Sequence, residues 1–333
     1  MKRRVHARFD TPDNPLHRLG IVRVPVAFVN AYLIDITPNV PGHGWVLVDT
    51  GLRALGILAI RRAAARRYGG RSQPRAIVLT HGHFDHAGSA QALAVEWDVP
   101  VFAHPLELPY LTGRSEYPPQ DPTVGGALGM MSRAFPRGAI DLGRNLHPLA
   151  ADGTLPFLPG WHAVATPGHT PGHLAFWRES DRVLLAGDAL ATMNQESWAT
   201  TVTMPRTLRW PPAPMTTDWD AAGESIRRLA ALRPRVLAAG HGLPLIGPDV
   251  PDALATFART FTPPEHGRYV GRPVRADGDG IVAMPPPVGD PVRTAMRAAA
   301  GVAAIAAVVL TYARRRASRP IATRPDPVDS EES

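Results

Sequence analysis

Residues 79–88 have the sequence LTHGHFDHAG, which places His81, His83, Asp85 and His86 within six positions at the end of an apolar run. Burying such side chains without partners costs free energy, because each loses its hydrogen bonds to water. A bound cation would offset this cost, since imidazole and carboxylate groups are common ligands of divalent metals. The segment therefore predicts a metal site, provided that other parts of the chain supply further ligands.

Candidate ligands of the same kind follow apolar runs elsewhere in the chain. They are Asp49 in VDTG, His169 in TPGHTPGH, Asp188 in AGDAL and His241 in AAGHG. The Gly, Pro and Thr residues beside them are typical of tight turns, and turns at strand ends can converge at one edge of a sheet. With Asp49 left aside, five histidines and two aspartates suffice for two metal ions if one aspartate bridges them.

The composition limits the chemistry of such a site. The 333 residues include no cysteine, which excludes disulfides and thiolate ligands and leaves sites suited to zinc, iron or manganese. The net charge is +7, but Lys2 is the only lysine and the arginines are scattered, so a nucleic-acid partner is not favoured. No apolar segment follows the basic start MKRRVHARFD, so we expect a cytoplasmic catalytic part without a signal peptide.

Strand and helix patterns occur in two blocks, each rich in strands and then helical. IVRVPVAFVNAYLIDI, WVLVDTG and RAIVLTH are typical of strands, and the spacing in LRALGILAIRRAAARRYGG predicts a helix that ends at Gly69–Gly70. The second block contains three strand patterns, a helix ended by Pro234, the strand RVLAAGHG and a final helix DVPDALATFARTF. This order predicts an α/β fold with two central sheets and helices outside.

The sequence predicts one domain over residues 1–264, which contains a long irregular segment. The amino-acid composition changes after residue 264. Residues 105–155 are rich in Pro, Gly and Met, which indicates an insertion that is either a lid or substrate loop or a surface excursion. Residues 265–297 are predicted to form a Pro/Gly-rich linker or extension. Residues 298–316 are predicted to form an apolar helix whose uncharged part, 298–313, is either a membrane anchor or a helix packed on protein, and 317–333 are predicted to be disordered.

HGHFDH, followed by TPGHTPGH, GDAL and GHG, resembles the metallo-β-lactamase fold superfamily over about residues 20–262. The resemblance implies an αββα sandwich of two mixed β-sheets flanked by helices, with a dinuclear site at one edge. It implies that the first metal binds His81, His83 and His169, that the second binds Asp85, His86 and His241, and that Asp188 bridges them. Asp49 would orient ligands through hydrogen bonds.

The same resemblance narrows the expected activity. The absence of cysteine and the presence of Asp188 disfavour an antibiotic-hydrolysing member, and TPGHTPGH resembles the glyoxalase II thioesterase and quorum-signal lactonase branches. The expected enzyme is a metal-dependent hydrolase with two divalent ions, most simply Zn²⁺, with Fe or Mn as alternatives. A metal-bridging hydroxide would attack an ester, thioester or lactone carbonyl of a small molecule, with Asp85 and Asp188 as the catalytic carboxylates.

Other functions remain open at this point. An iron-dependent persulfide dioxygenase-like oxygenase has an overlapping ligand set, and a nuclease or RNA-processing enzyme of the same fold shares the ligands. A binding or scaffold protein that keeps the metal only for stability is a further alternative. His173, Tyr110 and Tyr117 are interpreted as structural, although either tyrosine could donate to a leaving group or oxyanion.

Overall fold

A computed structural model describes residues 15–40, 42–136, 138–203, 205–292 and 294–295. The chain divides into two compact units, Met1–Val288 and Gly289–Ser333. The strands and helices described below all lie in the first unit.

Two mixed β-sheets form the centre of this unit. The first sheet has the order β1-β2-β3-β4-β5-β6 and the second the order β11-β10-β9-β8-β7, while β12 and β13 form a separate hairpin. Neighbours are parallel from β3 to β6 and between β9 and β10, and antiparallel elsewhere. The strands are β1 Ile21–Val26, β2 Val29–Asp35, β3 Trp45–Val48, β4 Ile77–Val78, β5 Val101–Ala103, β6 Leu146–Pro148, β7 Trp161–Ala165, β8 Leu174–Arg178, β9 Val183–Gly187, β10 Val236–Ala239, β11 Leu245–Ile246, β12 Arg275–Asp277 and β13 Gly280–Ala283.

Helices connect and cover the sheets. They are α1 Pro15–Arg18, α2 Leu55–Tyr68, α3 Ala90–Trp97, α4 Leu108–Leu111, α5 Gly126–Ser132, α6 Trp198–Thr203, α7 Trp219–Ala231 and α8 Val250–Thr260. The helix predicted to stop at Gly69–Gly70 does so, because Gly69 at its C-cap has a positive φ of 93°. Asp218 is the N-cap of helix α7, and its side chain accepts a hydrogen bond from the backbone N–H of Ala221.

The core has three apolar layers, which explains why the strands are apolar on both faces. Leu33 and Leu47 pack outward with residues of α2 and α3. Their neighbours Ile34 and Val48 point to the opposite face, as the two-residue period of a strand requires, and pack against the second sheet. The far face of the second sheet packs against α7 and α8. This arrangement confirms the predicted αββα sandwich.

The predicted insertion and extension both contain regular structure. Within residues 105–155, β6 pairs in parallel with β5 at the edge of the first sheet, a strand too short for the sequence pattern to indicate. In the extension, Tyr269 and Val274 are buried in a cluster with Trp219. Whether residues 105–155 act as a lid stays a prediction.

The C-terminal apolar segment predicted at 298–313 lies outside the described residues, as does the tail 317–333. Among the residues that are described, no helix has both the length and the apolar character needed to cross a bilayer.

Candidate metal centre

The seven side chains predicted as metal ligands lie together in one buried cluster. Four of them follow β4, one lies between β7 and β8, and one each follows β9 and β10, so the two sheets contribute from the same edge. His83 is the most exposed of the seven at 7%. Three groups have ligand atoms within 4.8 Å of one another: His81, His83 and His169; His81, His86 and Asp188; and Asp85, His86 and His241.

The first group consists of three imidazoles. Nε2 of His81 lies 2.9 Å from Nδ1 of His83, which lies 3.0 Å from Nε2 of His169. Nitrogens bound to one tetrahedral zinc ion at about 2.0–2.1 Å would be roughly 3.3 Å apart. The three nitrogens are therefore close to the spacing that a shared cation requires.

Asp188 lies between this group and the next. Its Oδ2 atom is 3.6 Å from Nε2 of His169, 3.3 Å from Nε2 of His86 and 3.1 Å from Nε2 of His241. One carboxylate oxygen thus faces imidazoles of both groups, which is the position that a bridging ligand occupies.

The second group consists of Asp85, His86 and His241, with Oδ2 of Asp85 3.6 Å from Nε2 of His241. Both carboxylate oxygens of Asp85, Oδ1 of Asp188 and Nε2 of His86 are buried without a hydrogen-bond partner in the described part of the chain. Unsatisfied buried groups of this kind are rare in proteins and indicate a missing ion or water. The donor set of imidazoles and carboxylates fits a divalent metal.

Hydrogen bonds outside the cluster fix which ring nitrogen faces inward in four of the five histidines, His83 being the one that turns its Nδ1 atom inward. The Thr80 hydroxyl donates to Oδ2 of Asp49 at 2.8 Å, so at 3.0 Å it accepts from Nδ1 of His81. Nδ1 of His86 donates to the same Asp49 oxygen at 2.8 Å. In both rings the proton on Nδ1 leaves the lone pair of Nε2 directed into the cluster. Asp49 thus accepts hydrogen bonds from the side chains of both Thr80 and His86.

His169 and His241 are oriented in the same way, by a hydrogen bond from Nδ1 to an oxygen outside the cluster. The Thr216 hydroxyl donates to the Pro212 carbonyl at 3.0 Å and therefore accepts from Nδ1 of His169 at 3.2 Å. Nδ1 of His241 donates to the carbonyl of Phe28 at 2.8 Å. Sequence reasoning missed these partners, because a threonine or a backbone carbonyl carries no motif.

The backbone around Asp49 explains why an aspartate can hold that position. Asp49 directly follows β3 and has a positive φ of 56°, a region that Asp tolerates better than most residues. Its Oδ1 atom accepts from the backbone N–H of Thr80 at 2.8 Å, which joins the ends of β3 and β4. The strand ends that carry Asp49 and His81 are therefore locked together.

The pKa shifts differ between the two groups of histidines: burial alone would lower the pKa of His86 and of His241, but Asp188 outweighs it and raises both. Burial lowers the pKa of His83 to about 3 and lowers the pKa of His81 and of His169 well below the usual range, so these rings are neutral, as ligands must be. Burial alone would raise the pKa of Asp188, but His241 and His86 outweigh it and hold this pKa well below its usual value. Asp188 therefore keeps its negative charge at the centre of the cluster.

His173 supports Asp188 without joining the cluster of ligands. Its Nε2 atom accepts a hydrogen bond from the backbone N–H of Asp188 at 2.8 Å, so its Nδ1 carries the proton and donates to the Thr166 hydroxyl at 2.7 Å. Gly187 has a positive φ of 50°, and a Cβ there would lie 2.7 Å from Nε2 of His173. His173 is thus structural, as its sequence context indicated, and it holds the backbone that presents Asp188.

Aromatic residues lie beside the cluster. Phe28, at the turn between β1 and β2, is 38% exposed and stacks on His241 with ring centroids 6.0 Å apart. Phe84, between His83 and Asp85, contacts Phe135 of the insertion at 5.4 Å. The cluster therefore has apolar surface next to its polar centre.

Comparisons with known proteins agree with this geometry. Residues 24–241 match the family model of the metallo-beta-lactamase superfamily. The chain is similar to the probable metallo-hydrolase YflN of Bacillus subtilis (strain 168), with 42% identity over 245 residues that cover 73% of this chain and 91% of that protein. It is also similar to the probable metallo-hydrolase YybB of the same organism, with 32% identity over 171 residues, or 49% of this chain and 68% of that protein.

The chain is also similar to a solved structure of another protein, and at this low sequence identity the similarity supports the fold only. That protein is described as the first B3 metallo-beta-lactamase with an active-site glutamic acid, and it aligns at a TM-score of 0.50 and 21% identity over 72% of this chain and 85% of that one. The family match covers the segment that supplies all seven clustered side chains and the Asp49 that orients them. The protein belongs to the metallo-β-lactamase superfamily, the family that its HGHFDH segment resembled.

Proposed function

We propose that the protein is a dinuclear metal-dependent hydrolase that cleaves an ester, thioester or lactone bond of a small molecule. The ligands of one ion are His81, His83 and His169, and those of the other are Asp85, His86 and His241, with Asp188 shared. The two relatives named as metallo-hydrolases support hydrolysis in general terms. The ester, thioester or lactone class rests on the TPGHTPGH resemblance.

The position of Asp188 carries the proposal. A site for one ion needs one group of ligands, whereas here a single carboxylate oxygen lies 3.1 to 3.6 Å from imidazoles of two groups. Such a shared ligand favours a dinuclear site, because it places negative charge between two cations that would lie roughly 3.5–4 Å apart and repel each other.

The chain's own residues then prepare the reaction. Bound divalent ions supply a nucleophile from water near neutral pH and polarise the carbonyl oxygen. Asp188 and Asp85 provide the negative charge that holds the ions. Both carboxylate oxygens of Asp85 are buried without a hydrogen-bond partner among the described residues, so an oxygen that holds no ion could accept a proton from the attacking water. The Nδ1 hydrogen bonds keep four of the imidazoles in place, those of His81, His86, His169 and His241.

We propose Zn²⁺ as the resident metal, with iron or manganese as alternatives. Zinc is compatible with a group of three imidazoles and with bridging carboxylates, and no thiolate is available to select a softer ion. The apolar surface of Phe28 and of Phe84 with Phe135 suits a small carbonyl substrate that carries an apolar group.

Metal removal is the first test of this proposal. The protein, purified without added metal, is analysed for metal content and assayed with an ester, a thioester, a lactone, a phosphodiester and structured RNA. We expect two equivalents of a divalent metal, hydrolysis of at least one carbonyl substrate, complete loss of that activity after chelation, and its return when metal is restored. The loss is expected because no other nucleophile is needed or assigned in this site.

Three results would contradict the proposal, each in its own way. Hydrolysis that survives complete removal of metal would exclude a metal-dependent mechanism. Oxygen consumption with a persulfide, by protein that contains iron, would favour the oxygenase. Cleavage confined to RNA or the phosphodiester would favour a nuclease and would reverse the expectation that nucleic acid is not a partner.

A further inference from the structure

Glu107 is a fully buried carboxylate that belongs to none of the ligand groups. It is 0% exposed and ends the short 3-10 helix Pro105–Glu107 at the beginning of the insertion. Burying a carboxylate is costly unless hydrogen bonds replace its hydration. The position of Glu107 therefore requires an explanation from its partners.

Four donors surround this carboxylate. Oε1 accepts from the Thr170 hydroxyl at 2.7 Å and from the backbone N–H of Gly172 at 2.8 Å. Oε2 accepts from the backbone N–H of Gly82 at 3.0 Å and from the hydroxyl of Tyr117. An ionised carboxylate only accepts hydrogen bonds and has about four acceptor sites, so all of them are used.

Three of these donors, all but Tyr117, lie in the two loops that carry the three-imidazole group. Gly82 lies between His81 and His83 at the end of β4 in the first sheet. Thr170 directly follows His169 in the connection between β7 and β8 of the second sheet. The two oxygens of Glu107 thus tie together ligand loops that belong to different sheets.

The packing around this tie is tight. A Cβ on Gly172 would lie 2.8 Å from Cγ of Glu107, and a Cβ on Gly82 would lie 2.6 Å from the hydroxyl oxygen of Tyr117. Glycine at both positions allows the backbone N–H groups to approach the two side chains closely.

Tyr117 extends the same network to His83. Its hydroxyl accepts from the backbone N–H of Gly82 at 2.9 Å while it donates to Glu107. Its ring lies 4.4 Å from the ring of His83 and stacks on Tyr110 at 4.1 Å. Tyr117 is therefore held in place by the insertion and confines the imidazole of His83.

We infer that Glu107, with Tyr117, is a positioning residue that sets the distance between the His81–His83 loop and His169 and thereby the affinity of the three-imidazole group for its metal. The inference rests on the proposed dinuclear function. The second group is held by other means, namely Asp49 at His86 and the Phe28 carbonyl at His241. Loss of the Glu107 tie should therefore weaken one metal subsite selectively.

Glu107→Gln tests this directly, because it keeps the volume but replaces one acceptor oxygen with an NH2 donor. Whichever way the amide turns, it faces two of the four donors with another donor. Partners that orient metal ligands are typically worth about 10–100-fold in metal affinity, so we expect a decrease of that size at one of two sites. Stepwise titration of metal-free protein with Zn²⁺ by calorimetry, and with Co²⁺ by absorption spectroscopy, measures it.

Tyr117→Phe is the second variant, since it removes one donor to Glu107 and the acceptor for Gly82 but keeps the ring against His83. We expect a smaller decrease in affinity at the same subsite. Should Glu107→Gln not fold, the Tyr117 variant decides, and unchanged affinity at both sites would then overturn the inference.

Asp35→Asn is the matched control. Asp35 is a buried carboxylate, 4% exposed, that accepts from Arg67, Tyr68 and the backbone N–H of Asn39, none of which is in the metal cluster. It should lower the thermal stability of the metal-free protein but leave both metal affinities unchanged. Equal losses of metal affinity in the Asp35 and Glu107 variants, or two wild-type affinities in Glu107→Gln, would overturn the inference. Wild-type protein that binds no metal would instead contradict the proposed function.

Discussion

Replacing Asp188 with alanine is expected to abolish hydrolysis and to reduce bound metal from two equivalents to one or fewer. The substitution removes the only side chain whose oxygen, among the described residues, lies within 4 Å of imidazoles of both groups. Without that charge two neighbouring cations repel each other, and the nucleophile is lost. A partner that only orients a metal ligand is typically worth about 10–100-fold in affinity or activity, so we expect loss of a shared ligand itself to cost at least about 10³-fold in rate. Metal analysis and steady-state kinetics measure both effects.

Asp181→Ala is the control for this prediction. Asp181 lies on the turn between β8 and β9 and pairs with Arg178 at 2.6 Å, outside the metal cluster. Its loss should leave metal content and activity unchanged. If Asp188→Ala retained two equivalents of metal, Asp188 would not be a bridging ligand. If it lost metal but kept its activity, the hydrolytic mechanism itself would be wrong.

Gly240→Ala is expected to reduce bound metal and activity nearly as much as Asp188→Ala, although it adds only one methyl group. The added Cβ would lie 2.0 Å from Oδ1 of Asp188 and 2.7 Å from Cε1 of His86. The backbone has little freedom to move away, because the N–H of Gly240 donates to Gly187 at 2.8 Å and its carbonyl accepts from Asn30 at 2.8 Å. We therefore expect Asp188 and His86 to be displaced, with loss of metal and of activity.

Gly278→Ala provides the comparison, because a Cβ at Gly278 meets nothing within 4 Å. Both variants change one glycine to alanine, so they differ in the surroundings of the new methyl group. Thermal unfolding of the metal-free proteins shows whether Gly240→Ala still folds. Wild-type metal content and activity in Gly240→Ala would show that the cluster is looser than its contacts indicate.

The local pattern of apolar residues in the sequence predicted most of the strands and helices of the two central sheets and their flanking layers. Apolar runs of Val and Ile gave the strands, and helical spacing followed by Gly69–Gly70 gave α2, because strand and helix periods depend only on nearby residues. The short strands β6 and β11 were not predicted, since they lie in no apolar run, whereas the equally short β4 lies within the apolar run RAIVLTH. They exist because a neighbouring strand offers unpaired backbone groups.

By itself the sequence determined which residues form the candidate centre, because seven His and Asp side chains follow strand ends in a recognisable order. Only the tertiary structure decided how those side chains are held. Thr216 at His169, the Phe28 carbonyl at His241 and the four donors of Glu107 come from distant segments, with Thr170 lying 63 positions from Glu107. A hydrogen bond depends on distance and direction between two atoms, and these are fixed only when the two sheets pack. The candidate ligands can therefore be identified from the sequence, whereas their orientation depends on hydrogen bonds that form only when the two sheets pack.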